Sequence, residues 1–329
     1  MQKIVAPVRP VCGWFIRFVL FTLGLRWFLS LNACVREPLV VPSVGGEGGS
    51  WGGASASSRP ESGGSSGARS SGATTSTGPS VDCTDVADLK TTLSVQYDGR
   101  YVNVRDSDKQ YYVHTNWWFT YDRQTVTVDG LGFTLGNPAD ARSGSNNPMG
   151  YPSFYIGSYS GRTPRGSRLP QAVSALTTIP TVMVTNAKSK GFSDYNAAYD
   201  VWFTATGEPL PERQYTPGRG GAYLMVWLFK PTDRQPRGRV NRGDSDRTIH
   251  GLPGTWDVWI DPSDPVCISY VSTIPLEELA FDLNNVIKDA VDNGYGITND
   301  MFLSVIFGGF EVWGGNDGLQ LKKFCADVK

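Results

Sequence analysis

Two histidines in 329 residues leave little room for the chemistry that imidazole usually carries. A serine or cysteine triad would have to use His114 or His250, and metal sites ask for several His or closely spaced Cys. Neither pattern is present, so the sequence predicts no metal site and no cofactor. His114, close to Asn116 in a strand-like run, reads as a satisfied structural histidine. An excess of one charge is lacking too: 30 Lys and Arg stand against 31 Asp and Glu, for a formal net charge of -1. Nucleic acid is therefore excluded as a partner, because phosphate binding rests on clustered cations. The basic cluster from Arg234 to Arg247 is interrupted by Asp244 and Asp246, and it reads as a solvated loop. Glycines are plentiful, yet none has phosphate-cradling spacing after a strand.

Helical periodicity is almost as scarce. With 38 Gly, 21 Pro and 12 % aromatics, the composition suits a loop-rich all-β protein. Short alternating or apolar runs recur between turn signals: Tyr111 to Trp118, Thr125 to Thr134, Phe154 to Tyr159, Thr178 to Thr185, Ala197 to Thr204, Ala222 to Phe229, Thr255 to Ile260, Cys267 to Thr273 and Met301 to Phe307. One stretch predicts a helix. Leu276, Leu279, Ala280, Leu283, Ile287, Ala290 and Val291 form an apolar stripe that starts after Thr273 and Pro275 and stops at Gly294. Many strands with a single late helix form a jelly-roll pattern, here in one domain over residues 81–329.

The first 34 residues read as an export signal. Lys3 and Arg9 give a basic start, Phe15 to Leu31 are mostly apolar, and the run ends in Leu31-Asn32-Ala33-Cys34. That ending resembles a bacterial lipobox, which would make Cys34 an acylated first residue; an ordinary signal peptide or anchor is the other reading. Arg17 and Arg26 disfavour a true transmembrane helix. Residues 35–80 are dominated by Gly, Ser, Ala, Thr and Pro, too poor in apolar groups to offset the entropy of ordering, and predict a flexible tether. The expectation is an exported monomer, secreted or held at the cell surface, that meets the membrane only through its N-terminal anchor. Of the five cysteines, Cys12 lies in the export signal and Cys34 at the possible lipid site. Cys83, Cys267 and Cys325 remain in a compartment that permits disulfides. Cys83 and Cys325 could staple the domain's ends, with Cys267 as a buried inert thiol.

What is abundant is aromatic residues beside carboxylates, the chemistry of carbohydrate clefts. Sugar rings pack flat C–H faces on Trp and Tyr while their hydroxyls need Asn, Asp and Glu partners. Tyr195-Asn196-Ala197-Ala198-Tyr199-Asp200-Val201-Trp202-Phe203 resembles the Tyr-Asn-Val-Ala-Tyr-Asp-Leu-Trp-Phe strand of glycoside hydrolase family 12, the small endoglucanases and xyloglucanases. Five more matches come in the family's order: Thr115-Asn116-Trp117-Trp118, Gly150-Tyr151-Pro152-Ser153, Leu224-Met225-Val226-Trp227-Leu228, Gln235-Pro236-Arg237-Gly238 and Gly309-Phe310-Glu311-Val312-Trp313.

The resemblance implies a concanavalin A-like β-jelly roll of two antiparallel sheets, with an open concave groove for β-1,4-glucan and a retaining double displacement. Carried over residue by residue, it places Glu311 on the general acid/base and Asp200 on the carboxylate that supports the nucleophile. Asn116 and Trp118 fall on a sugar subsite, Met225 and Trp227 on the groove floor. The nucleophile position falls on Tyr223, which shares one strand face with Met225 and Trp227. Retention needs two carboxyl groups about 5 Å apart. A phenol with a reference pKa near 10 is ionised in only about one molecule in a thousand at pH 7, and making it a ready nucleophile takes roughly 4 kcal/mol. Losing the carboxylate pair also removes the repulsion that keeps an acid protonated, so Glu311 is expected to ionise unless Asp200 or burial compensates. Phe307 and Phe310, where the family usually has polar residues, point to a changed site.

Three readings stand: a β-1,4-glucanase of altered mechanism with Asp200 as base or attacking group opposite Glu311, a groove that binds β-glucan without cleaving it, and a structural jelly-roll module. The retained carboxylates favour the first.

Overall fold

The computed structural model describes residues 89–329 except 106, 119–123, 137–146, 192–193, 241–242 and 315–316. The export signal, the tether, Cys34 and Cys83 therefore lie outside the described residues. In chain order the strands are β1 (Lys90–Leu93), β2 (Gly99–Asn103), β3 (Gln110–His114), β4 (Thr125–Asp129), β5 (Gly132–Gly136), β6 (Ser153–Gly157), β7 (Gln171–Ala172) and β8 (Pro180–Thr185). They continue with β9 (Tyr195–Thr204), β10 (Ala222–Trp227), β11 (Arg239–Val240), β12 (Trp256–Asp261), β13 (Val266–Ser272), β14 (Glu278–Asp282), β15 (Phe302–Val312) and β16 (Gln320–Ala326), with one α-helix among the described residues, α1 (Leu283–Asp292), before β15.

Among the described residues these strands make two sheets. One runs β1-β4-β5-β16-β8-β14, the other β11-β12-β13-β10-β9-β15-β6-β3-β2 with β7 added beside β15. The architecture is the expected jelly roll, with one departure from all-antiparallel pairing. Strand β10 runs parallel to β13, Tyr223 beside Cys267 and Met225 beside Ser269. A parallel neighbour needs a long crossover rather than a hairpin, and the chain between β10 and β13 supplies it through β11 and β12.

Both faces of the central strands are buried, which the runs of buried residues in β9 and β10 record. Tyr195, Ala197, Tyr199, Val201 and Phe203 of β9 enter the core between the sheets, where they meet Leu224 and Val226 of β10 and Ile306 and Phe310 of β15. Phe310 thus faces the core, its ring near those of Phe133 and Tyr195, and takes no part in the site that its position had implied. At Gly308 a Cβ would lie 2.2 Å from the Phe324 ring of the opposite sheet, so this position must be glycine for the sheets to close. The opposite face of β9 carries Asn196, Ala198, Asp200 and Trp202, by the period-2 alternation of a strand.

The late helix is shorter than its apolar stripe. Residues Glu278–Asp282 pair with β8 as a strand, and the helix begins only at Leu283. An open edge of β8 offers a full ladder to this segment, and the tertiary pairing overrides a periodicity compatible with either state. Asp282 marks the switch. Its Oδ1 accepts from the backbone of Asn284 at 3.0 Å, capping the helix, and from that of Ile179 at 2.7 Å. The run Thr125 to Thr134 likewise resolves into a hairpin, β4 and β5, turning at left-handed Gly130.

Two further expectations change. Three arginines of the cluster are ion-paired rather than merely solvated: Arg234 to Asp194, Arg237 to Asp261 and Arg247 to Asp289, while Arg239 is exposed. Cys267 is not an inert thiol, since both it and Cys325 are disulfide-bonded. Among the described residues no helix is long and apolar enough to cross a membrane.

Candidate active site

Three adjacent strands build the site. On their groove face, Asp200 of β9 stands opposite Met225 of β10 on one side and Phe307 of β15 on the other. Tyr223 stands opposite Trp202, Trp227 opposite Ala198, and Glu311 opposite Asn196. Asp200 therefore lies between the levels of Tyr223 and Glu311. A second apolar cluster covers this face, including Tyr151, Tyr155, Tyr159, Trp202, Tyr223, Met225, Trp227, Phe307 and Trp313.

Each carboxyl group is held by one neighbour and leaves one oxygen without a protein partner. Trp202 Nε1 donates to Asp200 Oδ2 at 2.8 Å, while Asp200 Oδ1 is buried and unpaired. Asn196 Nδ2 donates to Glu311 Oε2 at 2.6 Å, and the Glu311 backbone N–H donates back to Asn196 Oδ1 at 3.1 Å; Glu311 Oε1 is buried and unpaired. Trp227 Nε1 is a third such atom on this face. Buried polar atoms without partners are uncommon in native proteins, and a cluster of them marks a place prepared for something else to bind.

Burial controls the protonation of both acids. Asp200, 4 % exposed, is pushed up to about 7 by desolvation, against the Trp202 hydrogen bond that favours its anion. Glu311, 1 % exposed, is pushed up to about 8, again by desolvation first; the Asn196 bond opposes the rise and the Asp200 charge adds to it. Burial thus keeps the acid protonated at Glu311 where a missing carboxylate had implied its loss. Tyr223 moves the other way from a nucleophile. Desolvation and the Asp200 charge hold its phenol far above the usual range, outweighing the opposing Arg237 guanidinium. Its ring meets that of Trp202 edge-on, centroids 5.4 Å apart.

The remaining residues singled out from the sequence fall into place differently. Asn116, at φ 43°, spends its amide on protein groups: Nδ2 donates to the Tyr151 carbonyl at 3.3 Å and Oδ1 accepts from Trp118 Nε1 at 3.2 Å. It orients the half-buried Trp118 indole. Met225 and Trp227 floor the face, and Trp227 lies 6.4 Å from the Trp313 ring, over which Arg234 sits at 5.4 Å. His114 is buried, bonded through Nε2 to Ser153 Oγ at 2.8 Å, and held at about 3 by desolvation and then by the Arg162 charge, so it is neutral near pH 7. Among the described residues no cluster of His, Cys, Asp and Glu could hold a metal ion.

Two residues of the site lie in the matched motifs but were given no role from the sequence. Asn196 was within reach, because period-2 spacing puts it on the same face as Asp200 and opposite Glu311. Tyr151 was not: it reaches the site through tertiary contact, donating its hydroxyl to the Ala198 carbonyl at 2.7 Å, where burial first, and then the Asp200 and Glu311 charges, push its phenol well above the usual range. Its neighbour Pro152 passes so close to β15 that a Cβ on Gly309 would lie 2.2 Å from the Pro152 carbonyl oxygen.

A jelly-roll sheet that carries two buried carboxyl groups, each with one unclaimed oxygen, among aromatic rings is the architecture of a β-jelly-roll glycosidase. Residues 109–329 match Glycosyl hydrolase family 12, and the chain belongs to that family. Endoglucanase S of Pectobacterium parmentieri is 24 % identical over 245 residues, 68 % of this chain and 86 % of that protein. The probable cellulase Cel12b of Mycobacterium tuberculosis is 28 % identical over 165 residues, 50 % of this chain and 99 % of that one. Among solved structures, endoglucanase cel12A from Rhodothermus marinus superposes with a TM-score of 0.61 at 29 % identity, covering 73 % of this chain and 99 % of its own.

Proposed function

We propose that the protein hydrolyses β-1,4-glucan with Glu311 as general acid and Asp200, rather than Tyr223, as the group that drives attack. The observation that carries this reading is the pair of buried carboxyl groups on neighbouring strands, each with one oxygen left for substrate or water. Supporting it on the substrate side are the relatives named as endoglucanase and cellulase.

In this reading Glu311 Oε1 delivers its proton to the glycosidic oxygen as the bond from that oxygen to the anomeric carbon breaks. Ionised Asp200 takes a proton from the water that adds to that carbon, or attacks it directly before water releases the sugar. Tyr223 stays protonated and offers a phenol to a sugar hydroxyl. Trp118, oriented by Asn116, and the Trp227 floor hold the chain. Because a glucan polymer cannot cross a membrane, this reading also puts the enzyme outside the cell, with residues 1–34 as its export signal.

The test is reducing-sugar release from soluble β-glucans by the wild type, Glu311→Gln, Asp200→Asn and Tyr223→Phe. Activity lost in the first two variants and kept in Tyr223→Phe is the expected pattern, and NMR of the first-formed anomer separates the water route from direct attack. Loss in Tyr223→Phe would instead make the phenol catalytic. An inert wild type that still binds cello-oligosaccharides would make the protein a glucan-binding relative of the enzymes.

A further inference from the structure

The connection between β9 and β10, residues 205–221, is too long for a tight hairpin, and it is fastened to the turn that follows β6. Since β15 lies between β6 and β9 in the sheet, the connection spans that strand as a strap. Three hydrogen bonds latch it. The Leu210 N–H donates to Ser158 Oγ at 2.7 Å, the Gly161 N–H to the Leu210 carbonyl at 2.9 Å, and the Arg213 N–H to Ser160 Oγ at 3.1 Å.

The latch is built from unusual backbone. Ser160 and Arg213, on its two sides, are both left-handed at φ 47° and 65°, and a Cβ on Gly161 would lie 3.1 Å from the Glu212 Cα. Non-glycine residues persist in that region only where surrounding structure over-determines them, and they concentrate at ligand clamps and functional sites. Leu210 and Tyr215 of the strap join the groove-face cluster. Tyr215 lies 6.0 Å from Tyr159, whose ring in turn lies 5.3 Å from Trp202 and 5.1 Å from Phe307. Those two rings flank Asp200, one by its hydrogen bond and the other by its register.

We infer that this strap is a specificity wall, admitting an unbranched β-glucan chain beside Asp200 and excluding a chain whose glucose units carry branch sugars on the strapped flank. The inference rests on the glucan reading above. An unbranched chain presents only hydroxyls at its edges, whereas a branch sugar needs volume that Leu210, Tyr215 and Tyr159 already fill. Making that room would mean breaking the latch, so a branched chain binds only at the cost of three hydrogen bonds.

Calorimetric titration of the full chain with cellotetraose and with a xylose-branched cellotetraose tests this, using the Glu311→Gln background so that neither ligand is cleaved. The strapped protein should bind the unbranched chain at least tenfold more tightly. Adding Leu210→Gly with Tyr215→Ser, or Ser158→Ala with Ser160→Ala, should narrow the gap to within threefold by tightening the branched ligand. The serine pair keeps the test open should the first pair fail to fold. Equal binding of the two ligands with the strap intact, or a gap unchanged when the latch is removed, overturns the inference and leaves the glucan reading standing. Absence of binding by both ligands overturns the glucan reading and the strap with it.

Discussion

Glu311→Gln separates the electrostatic cost of the site from everything else in the molecule. The Glu311 carboxyl rises from 4.5 to about 8 on folding, chiefly because burial disfavours its anion. A carboxyl whose folded value is raised imposes no penalty below its unfolded value, where both states are protonated. As pH climbs past 4.5 the unfolded chain releases the proton and the folded chain does not, so stability falls until the folded value is reached and then levels. Each unit is worth about 1.4 kcal/mol, which makes the full loss on the order of 5 kcal/mol, or roughly 10 to 20 °C of melting temperature for a domain of this size.

Glutamine is neutral throughout and escapes that loss. The variant should therefore gain on the wild type between pH 5 and pH 8.5 by several kcal/mol, whatever constant offset its extra amide donors introduce. Asp200 titrates in both proteins, so only its coupling to Glu311 remains in their difference, a smaller effect than burial. Urea unfolding of the two proteins at both pH values measures this directly. A stability difference that does not move with pH would show that Glu311 ionises freely in the folded protein, and the acid role argued for it would go with that result.

Two further outcomes follow from the same geometry. On soluble β-glucan the rate should be bell-shaped with its maximum between about pH 7 and 8, where Asp200 is ionised and Glu311 still protonated; Asn196→Ala removes the bond that favours the Glu311 anion and should move only the alkaline limb, to higher pH. Trp118→Ala should cost about 1 to 3 kcal/mol of cello-oligosaccharide affinity by calorimetry if its ring stacks on a sugar, and an unchanged affinity would remove it from the subsite.

The legible parts of this molecule were those where one strand suffices. Tyr223, Met225 and Trp227 fall on one face because side chains alternate along β10, and Asp200 shares a face with Asn196 and Trp202 for the same reason. Where two elements compete for the same residues the sequence was ambiguous. The stripe from Leu276 to Val291 satisfies a helix throughout, and only the edge of β8 decides that its first part is a strand. Phe310 could have been a site residue until its alternation with Glu311 on β15 turned it into the core.

By itself, then, the sequence determined the jelly-roll class and the family, because strand periodicity and ordered motifs are properties of short stretches of chain. Only the tertiary structure decided that burial, rather than a partner carboxylate, keeps Glu311 protonated, that Asn116 serves Trp118, that Tyr151 reaches the Ala198 carbonyl, and that a strap crosses β15. Desolvation and such contacts depend on residues far apart in the chain, and no local pattern encodes how deeply a carboxyl group will be buried.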